Sequence, residues 1–339
     1  MDDLAAAITE TAEKKGFSGV VRVDDAGQTL ELAFGLADRA HERPNRPRTQ
    51  FAMASGSKTF TALAVMSLVN EGTLDLDESV RRWLGDDLKQ IDDAVTLRHL
   101  LSHTSGVGEY LDDDADTDTY ILPGSMHTYL TPEDFVPLLD VPMLGTPGKE
   151  FFYNNGGFVL LGLIAQRASG IDYQDLVRQR VFQPAGLTHT DFLRSDELPG
   201  TAAIGYLYED GARTNIFHLP IQGSADGGAY TTVADLVQFW TALAAGRIVP
   251  SELVEMMTTP AANHDPDDPY GLGVWLLQPN TWTMIGEDAG ASLSSNHEPG
   301  RGFTWSVLSN HNEGAWKMTG LLLHWARTGD TNPPPREDD

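Results

Sequence analysis

Strand-like sequence at both ends of the chain, and its absence from the middle, most narrows the possible folds. Residues 18–23 and 29–34 are rich in β-branched and apolar residues. The run Asp24-Asp25-Ala26-Gly27 between them is a turn, so the pair reads as a β-hairpin. At the far end, 271–276, 281–285, 290–295 and 303–309 are short, β-rich and separated by turn residues. Between them, helix-like stretches such as 95–101, 158–168 and 232–244 alternate with long polar loops. A lone hairpin is marginal in water, so the terminal strands are expected to join one sheet. The expected architecture is α+β, an antiparallel sheet built from N- and C-terminal segments and flanked by helices at 4–15 and 315–327. The sheet-bearing part would comprise about 1–74 and 241–327, with a mainly helical inserted subdomain at about 75–240. Residues 328–339 are Pro-rich and acidic, the composition of a disordered tail.

A chain of 339 residues can bury a sizeable core without covalent help. The absence of cysteine excludes disulfides, thiolate zinc sites, Fe–S clusters and a Cys nucleophile. With 23 basic against 49 acidic residues, the net charge of −26 repels phosphate backbones and anionic lipid, so neither nucleic acid nor a membrane is an expected partner. The acidic surplus is 32 Asp and 17 Glu against 17 Arg and 6 Lys. That bias fits a surface adapted to high salt or a GC-rich coding sequence equally well. The start, MDDLAAAITETAEKKG, lacks the basic and apolar regions of a signal peptide, so the chain reads as cytoplasmic. Its most continuous apolar stretch, 158–165, is too short to span a bilayer.

Chemistry is concentrated in two places. The first is Ser55-Gly56-Ser57-Lys58, at the start of a helix-like run reaching about residue 68. Three residues are nearly one helical turn, which puts the Ser55 hydroxyl and the Lys58 amine on one face. A serine hydroxyl needs an adjacent base to become a nucleophile. An amine can be that base only if its pKa drops by about 3 units from roughly 10.4, about 4 kcal/mol of differential stabilisation. Burial and the positive end of a helix both push in that direction. Chance alone supplies a Ser-x-x-Lys about 0.3 times in such a composition, and a capping serine before a surface lysine is an ordinary helix start. The second place is Tyr153-Asn154-Asn155, ahead of Gly156-Gly157 and an apolar helix. It offers either a phenol and an amide facing a cleft, or a packed aromatic and a helix cap.

Together these motifs carry a resemblance. Phe51-Ala52-Met53-Ala54-Ser55-Gly56-Ser57-Lys58-Thr59-Phe60, Leu97-Arg98-His99-Leu100-Leu101-Ser102-His103-Thr104-Ser105-Gly106 and Tyr153-Asn154-Asn155 follow one another as in serine β-lactamase-like hydrolases. Gly227-Gly228-Ala229-Tyr230-Thr231-Thr232-Val233-Ala234-Asp235-Leu236 and Val307-Leu308-Ser309-Asn310 match further segments. The chain is most similar to the class C-related branch, with its penicillin-binding-protein homologues, family VIII carboxylesterases and D-aminopeptidases, over nearly its whole length. The resemblance implies a β-lactamase/transpeptidase-like fold with Ser55 as acylated nucleophile and Lys58 as base. It also implies that Tyr153 assists proton transfer and that Asn155 binds the substrate's acyl-side amide or ester. Gly286 would leave room for substrate, and the backbone N–H of Glu287 would join that of Ser55 in the oxyanion hole.

One motif departs from the pattern. Where the family carries Lys-Thr-Gly or His-x-Gly, this chain has Met284-Ile285-Gly286. A methionine cannot make a charge-assisted bond to a substrate carboxylate. Penicillins and D-Ala-D-Ala peptides are thereby disfavoured, and small uncharged esters or amides favoured. A solvated turn at Glu287 and Asp288 would add negative charge nearby. The expected function is a serine hydrolase working through an acyl-enzyme without metal or organic cofactor. The alternatives are a D,D-peptidase, D-aminopeptidase or β-lactamase, an acyltransferase, or a non-catalytic ligand-binding homologue.

Other features suggest less. His99 and His103 have zinc-like i, i+4 spacing but lack the metalloprotease Glu, and a structural role at a helix end is expected. Asp112, Asp114, Asp116 and Asp118 alternate like a calcium loop without its Gly and closing Glu, which reads as a solvated acidic loop.

Overall fold

The N-terminal hairpin forms as the turn chemistry requires. Strands β1 (Gly19–Asp25) and β2 (Gln28–Phe34) pair antiparallel from Gly19↔Phe34 to Asp25↔Gln28. The two-residue connection puts Ala26 at φ 49° and Gly27 at φ 80°, the left-handed pair whose twist matches that of the strands. In this computed structural model, residues 1–111, 122–265, 268–277 and 280–333 are described.

The other edge of β1 is taken by the last strand of the chain. Strands β3 (Ala262–Asp265), β4 (Asp268–Tyr270), β5 (Trp275–Leu277), β6 (Thr281–Asp288), β7 (Ala291–Glu298) and β8 (Phe303–Ser309) follow in chain order. Strand β8 runs antiparallel to β1, from Gly19↔Ser309 to Asp24↔Thr304. The two ends thus close into one eight-stranded antiparallel sheet of order β2-β1-β8-β7-β6-β5-β4-β3, as expected of an α+β chain.

Period-two alternation gives each sheet face its own partner. Val21, Val23, Trp305 and Val307 pack against helices α1 (Asp2–Lys15) and α5 (Trp316–Thr328), meeting Leu4, Ile8, Met318 and Leu322. Each of these buried aliphatic side chains contributes about 1.5–3 kcal/mol. Val20 and Leu308 face the opposite way, into the main core shared with helices α2 (Lys58–Asn70), α3 (Asn155–Ser169) and α4 (Val233–Ala244).

Two strands were not legible in advance. β3 and β4 carry Asn, His, Asp and Pro, with none of the β-branched alternation that marks a strand; Pro269 fits because only Tyr270 of β4 pairs with β5 and the β3–β4 register is broken by a bulge between Asn263 and Asp265. The segment expected as a strand at 271–276 is extended only from Trp275, because its glycines serve contact instead. A Cβ on Gly271 would lie 2.0 Å from the Met257 carbonyl oxygen, and one on Gly273 2.2 Å from the Ala62 Cβ. The acidic run from Asp112 to Asp118 and residues 334–339 of the expected tail lie outside the described residues. Among the described residues no helix is long and apolar enough to cross a membrane.

Helix α2 sets up the site. Residues 58 to 68 are all buried, as for a helix enclosed on every side. Its one charged residue, Lys58, is 2% exposed, so its amine must find partners inside the protein.

Candidate active site

The turn bearing Ser55 is held from one side. Phe51 and Ala52 pair with Thr231 and Tyr230, and the Met53 N–H donates to the Ala229 carbonyl at 2.8 Å. Ala54 then takes φ 47°, a left-handed conformation that costs a non-glycine residue about 1–2 kcal/mol. A 3-10 turn over Ala54–Ser57 follows and runs into α2, leaving Ser55 half-buried at its start. Ser57 fastens the turn: its hydroxyl donates to the Ala54 carbonyl at 3.1 Å and accepts from the Ala229 N–H at 3.0 Å.

Lys58 reaches Ser55 as helical spacing predicts, with Nζ 2.9 Å from Ser55 Oγ. It also donates to Asn155 Oδ1 at 2.8 Å and to the backbone carbonyl of Asp226 at 2.6 Å. These last two partners can only accept. They therefore consume two N–H bonds, and the third tetrahedral position points at Ser55. In the ammonium that position holds a proton. In the neutral amine it holds the lone pair, aimed at the hydroxyl proton a base must remove.

Tyr153 and Asn155 arrive from a second direction. Asn154 caps α3, its Oδ1 accepting from Gly157 N–H at 2.5 Å, so the cap fixes where the two flanking residues emerge. The Tyr153 ring is half-buried, near-parallel to Trp275 at 6.2 Å and 14°, and its centroid lies 5.0 Å from Lys58 Nζ. Asn155 lines the groove, and its side-chain oxygen is committed to Lys58.

The support beneath these residues comes from 103–109. His103 stands just past the short helix Leu97–Leu101, at φ 55° and 1% exposed. Its carbonyl accepts from Phe152 N–H at 2.8 Å, and its Nδ1 accepts from Asn154 N–H at 3.0 Å. Burial and the neighbouring Lys58 charge hold this imidazole well below its ordinary pKa, and the Asn154 bond needs Nδ1 unprotonated. Nε2 has no hydrogen-bond partner among the described residues. A left-handed backbone costs about 1–2 kcal/mol, and an unpaired buried donor about 1–3 kcal/mol. His99, by contrast, turns to the helix start, where its side chain and that of Thr96 form a reciprocal cap. Among the described residues no group of three or more His, Asp or Glu could hold a metal ion. Glu109 adds a carboxylate at the start of α3, accepting from Asn155 N–H at 2.5 Å.

Strand β6 closes the site from the sheet side. A Cβ on Gly286 would sit 2.1 Å from the Met53 carbonyl oxygen and 3.1 Å from the Ser55 nitrogen, so only glycine lets strand and nucleophile turn meet. The Glu287 side chain is exposed, and its carboxylate accepts from the Trp316 indole N–H. Met284 is 1% exposed and presents no charge. Beyond Ser55 opens a groove walled by apolar residues including Leu111, Leu193, Leu219 and Ile221, with Asp226 and Asp288 also in its lining. Lys58 lines a smaller hollow beside Tyr153, and among the described residues lining the two spaces it is the only basic one.

Sequence reasoning did not find Asp226. Its contribution to Lys58 is a backbone carbonyl, which no residue type signals. Its carboxylate accepts from the Tyr110 hydroxyl at 2.6 Å. Burial holds that carboxyl above the usual range, against the opposing pull of the Lys58 charge and the Tyr110 bond. Glu109 was missed as well, because a cap reaching across 46 residues leaves no local spacing.

The chain is similar to several known proteins. Residues 4–328 match the family described as Beta-lactamase. The crystal structure of a penicillin-binding protein from Bacillus halodurans superposes with a TM-score of 0.87 and 34% identity, covering 94% of this chain and 99% of that one. Penicillin-binding protein 4* of Bacillus subtilis (strain 168) is 32% identical over 288 residues, 78% of this chain and 61% of that protein. Esterase EstB of Burkholderia gladioli is 34% identical over 211 residues, 57% of this chain and 51% of that protein.

Proposed function

This chain belongs to the beta-lactamase family, with its β-lactamase/transpeptidase-like fold, and on that premise we propose that it is a serine hydrolase acting through a Ser55 acyl-enzyme on small uncharged esters or amides. The observation that carries the reading is the Lys58 amine, two of whose bonds go to acceptor-only atoms while the third direction faces Ser55 Oγ.

In acylation the neutral amine of Lys58 takes the Ser55 proton as Oγ bonds to the substrate carbonyl carbon. The negative charge that develops on the carbonyl oxygen falls to the backbone N–H groups of Ser55 and Glu287, a pair of donors of the kind worth about 3–4 kcal/mol each in a transition state. The bond to the leaving group then breaks. Tyr153 gives that group its phenolic proton and is reprotonated by the Lys58 ammonium, so the net proton moves from Ser55 to the departing alcohol or amine. Water reverses these transfers and releases the acid.

The apolar groove and the carboxylates of Asp226 and Asp288 support uncharged substrates over anionic ones. The buried Met284 leaves a substrate carboxylate without a charged partner at that position. The experiment is fluorophosphonate labelling followed by peptide mass mapping, with turnover measured on p-nitrophenyl esters, simple amides, nitrocefin and a D-Ala-D-Ala peptide. The reading requires label on Ser55, loss of turnover in Ser55→Ala and preference for the neutral esters or amides. Undiminished turnover in Ser55→Ala overturns it, and faster hydrolysis of nitrocefin or the peptide overturns the substrate class.

A further inference from the structure

His103 combines two unfavourable features at one buried position, a left-handed backbone and an imidazole nitrogen without a partner among the described residues. Asparagine and glycine tolerate that backbone better and would leave no ring nitrogen stranded. What His103 supplies in return is a three-point hold on the Tyr153 segment, two of the points from the imidazole and one from the backbone carbonyl. Its carbonyl holds the Phe152 N–H and its Nδ1 holds the Asn154 N–H, the residues immediately before and after Tyr153. Its ring centroid lies 4.4 Å from that of Tyr153. Phe158 and Tyr270, each with a ring centroid 4.9 Å away, keep the imidazole itself from turning.

We propose that His103 is a positioning residue for Tyr153, fixing the phenol where it protonates the leaving group while taking no part in the activation of Ser55. The inference rests on the acyl-enzyme reading above. The division of labour follows from the bonds: Lys58 is held by Asn155 and Asp226 and does not bond His103, whereas the N–H groups of Phe152 and Asn154, the residues on either side of Tyr153, do. Loosening His103 should therefore spoil protonation of the leaving group and spare proton removal from Ser55.

Leaving groups separate these two effects. A p-nitrophenolate is a weak base and departs without a proton, whereas an alkoxide is a strong base and does not. Two variants divide the contacts. His103→Phe keeps a ring against Tyr153 and removes the Nδ1 acceptor; His103→Asn suits the left-handed backbone and removes the ring. In either variant kcat/KM for an ethyl ester, which reports acylation alone, should fall about 30- to 100-fold, as expected for a misplaced reacting group. For the p-nitrophenyl ester of the same acid, kcat/KM should fall less than about threefold, whatever happens to the deacylation step that the two esters share. Fluorophosphonate labelling of Ser55, which expels fluoride, should keep its rate within the same factor. Equal losses on both esters, or none on either, would overturn the inference, because a purely structural role has no reason to sense the leaving group. If one variant does not fold, the other carries the comparison. Failure of the wild-type protein to label at Ser55 would strike the acyl-enzyme reading instead.

Discussion

Gly286→Ala tests the geometry of the site with one added carbon. The new Cβ would lie 2.1 Å from the Met53 carbonyl oxygen, 2.7 Å from the Gly56 nitrogen and 3.1 Å from the Ser55 nitrogen. All three are backbone atoms, so no side-chain rotation relieves the overlap. An ordinary carbon–oxygen contact needs about 3.2–3.5 Å, so β6 and the nucleophile turn must separate by roughly 1 Å. That distance divides the two proposed oxyanion donors, one on each element. A 1 Å misplacement costs about 100-fold, and loss of one donor about 100- to 1000-fold in kcat, or about 2.7–4 kcal/mol. Overpacking should also lower stability by about 1–3 kcal/mol. The assay is steady-state hydrolysis of a p-nitrophenyl ester, with urea denaturation in parallel. Gly200→Ala is the control, since a Cβ there meets nothing within 4 Å. If Gly286→Ala keeps kcat within threefold of the wild type, the strand does not position the oxyanion hole and the argument fails.

Two other substitutions probe different parts of the account. Asn155→Leu removes one of the two acceptors that orient Lys58. A hydrogen bond to a charged group is worth about 1.5–3 kcal/mol, so kcat should fall roughly 10- to 100-fold with KM little altered, and an unchanged kcat would dismiss the orienting role. His297 concerns pH and stability. Its ring stacks on Trp240 at 5.9 Å and 5°, and burial lowers its pKa from 6.5 to about 4. Above pH 6.5 the group is neutral folded or unfolded and has no effect. As pH falls from 6.5 towards 4, the unfolded chain takes up the proton and the folded one does not, so stability is lost by up to about 3 kcal/mol. Urea denaturation at pH 7 and pH 4 should show an acid-side loss smaller by about that amount in His297→Gln; equal losses in both proteins would contradict it.

Much of this arrangement was readable in the amino-acid order, and the parts that were not share a physical reason. Helical spacing alone placed Lys58 within reach of Ser55, since both lie in one local segment. The hairpin and β8 declared themselves through turn residues and β-branched runs, and their position at the two ends required a common sheet. Asn154 and Tyr153 followed from the step into a helix. Contacts across the chain left no such trace. Asn155 meets Lys58 across 97 residues, and Asp226 holds it across 168 through a carbonyl oxygen that every residue possesses. His103 reads as a helix-end residue until the fold lays 151–155 over it. Gly271 and Gly273 looked like part of a strand because close approach of two backbones is not encoded in hydrophobic period.

The most direct test of the central claim is the pre-steady-state rate at which an activated ester acylates Lys58→Met compared with the wild type. If the amine one helical turn from Ser55 accepts the hydroxyl proton, the acylation rate constant falls about 10²- to 10⁴-fold, the usual contribution of a positioned general base. An acylation rate within threefold of the wild type, with the adduct still on Ser55, would mean that another group activates the serine.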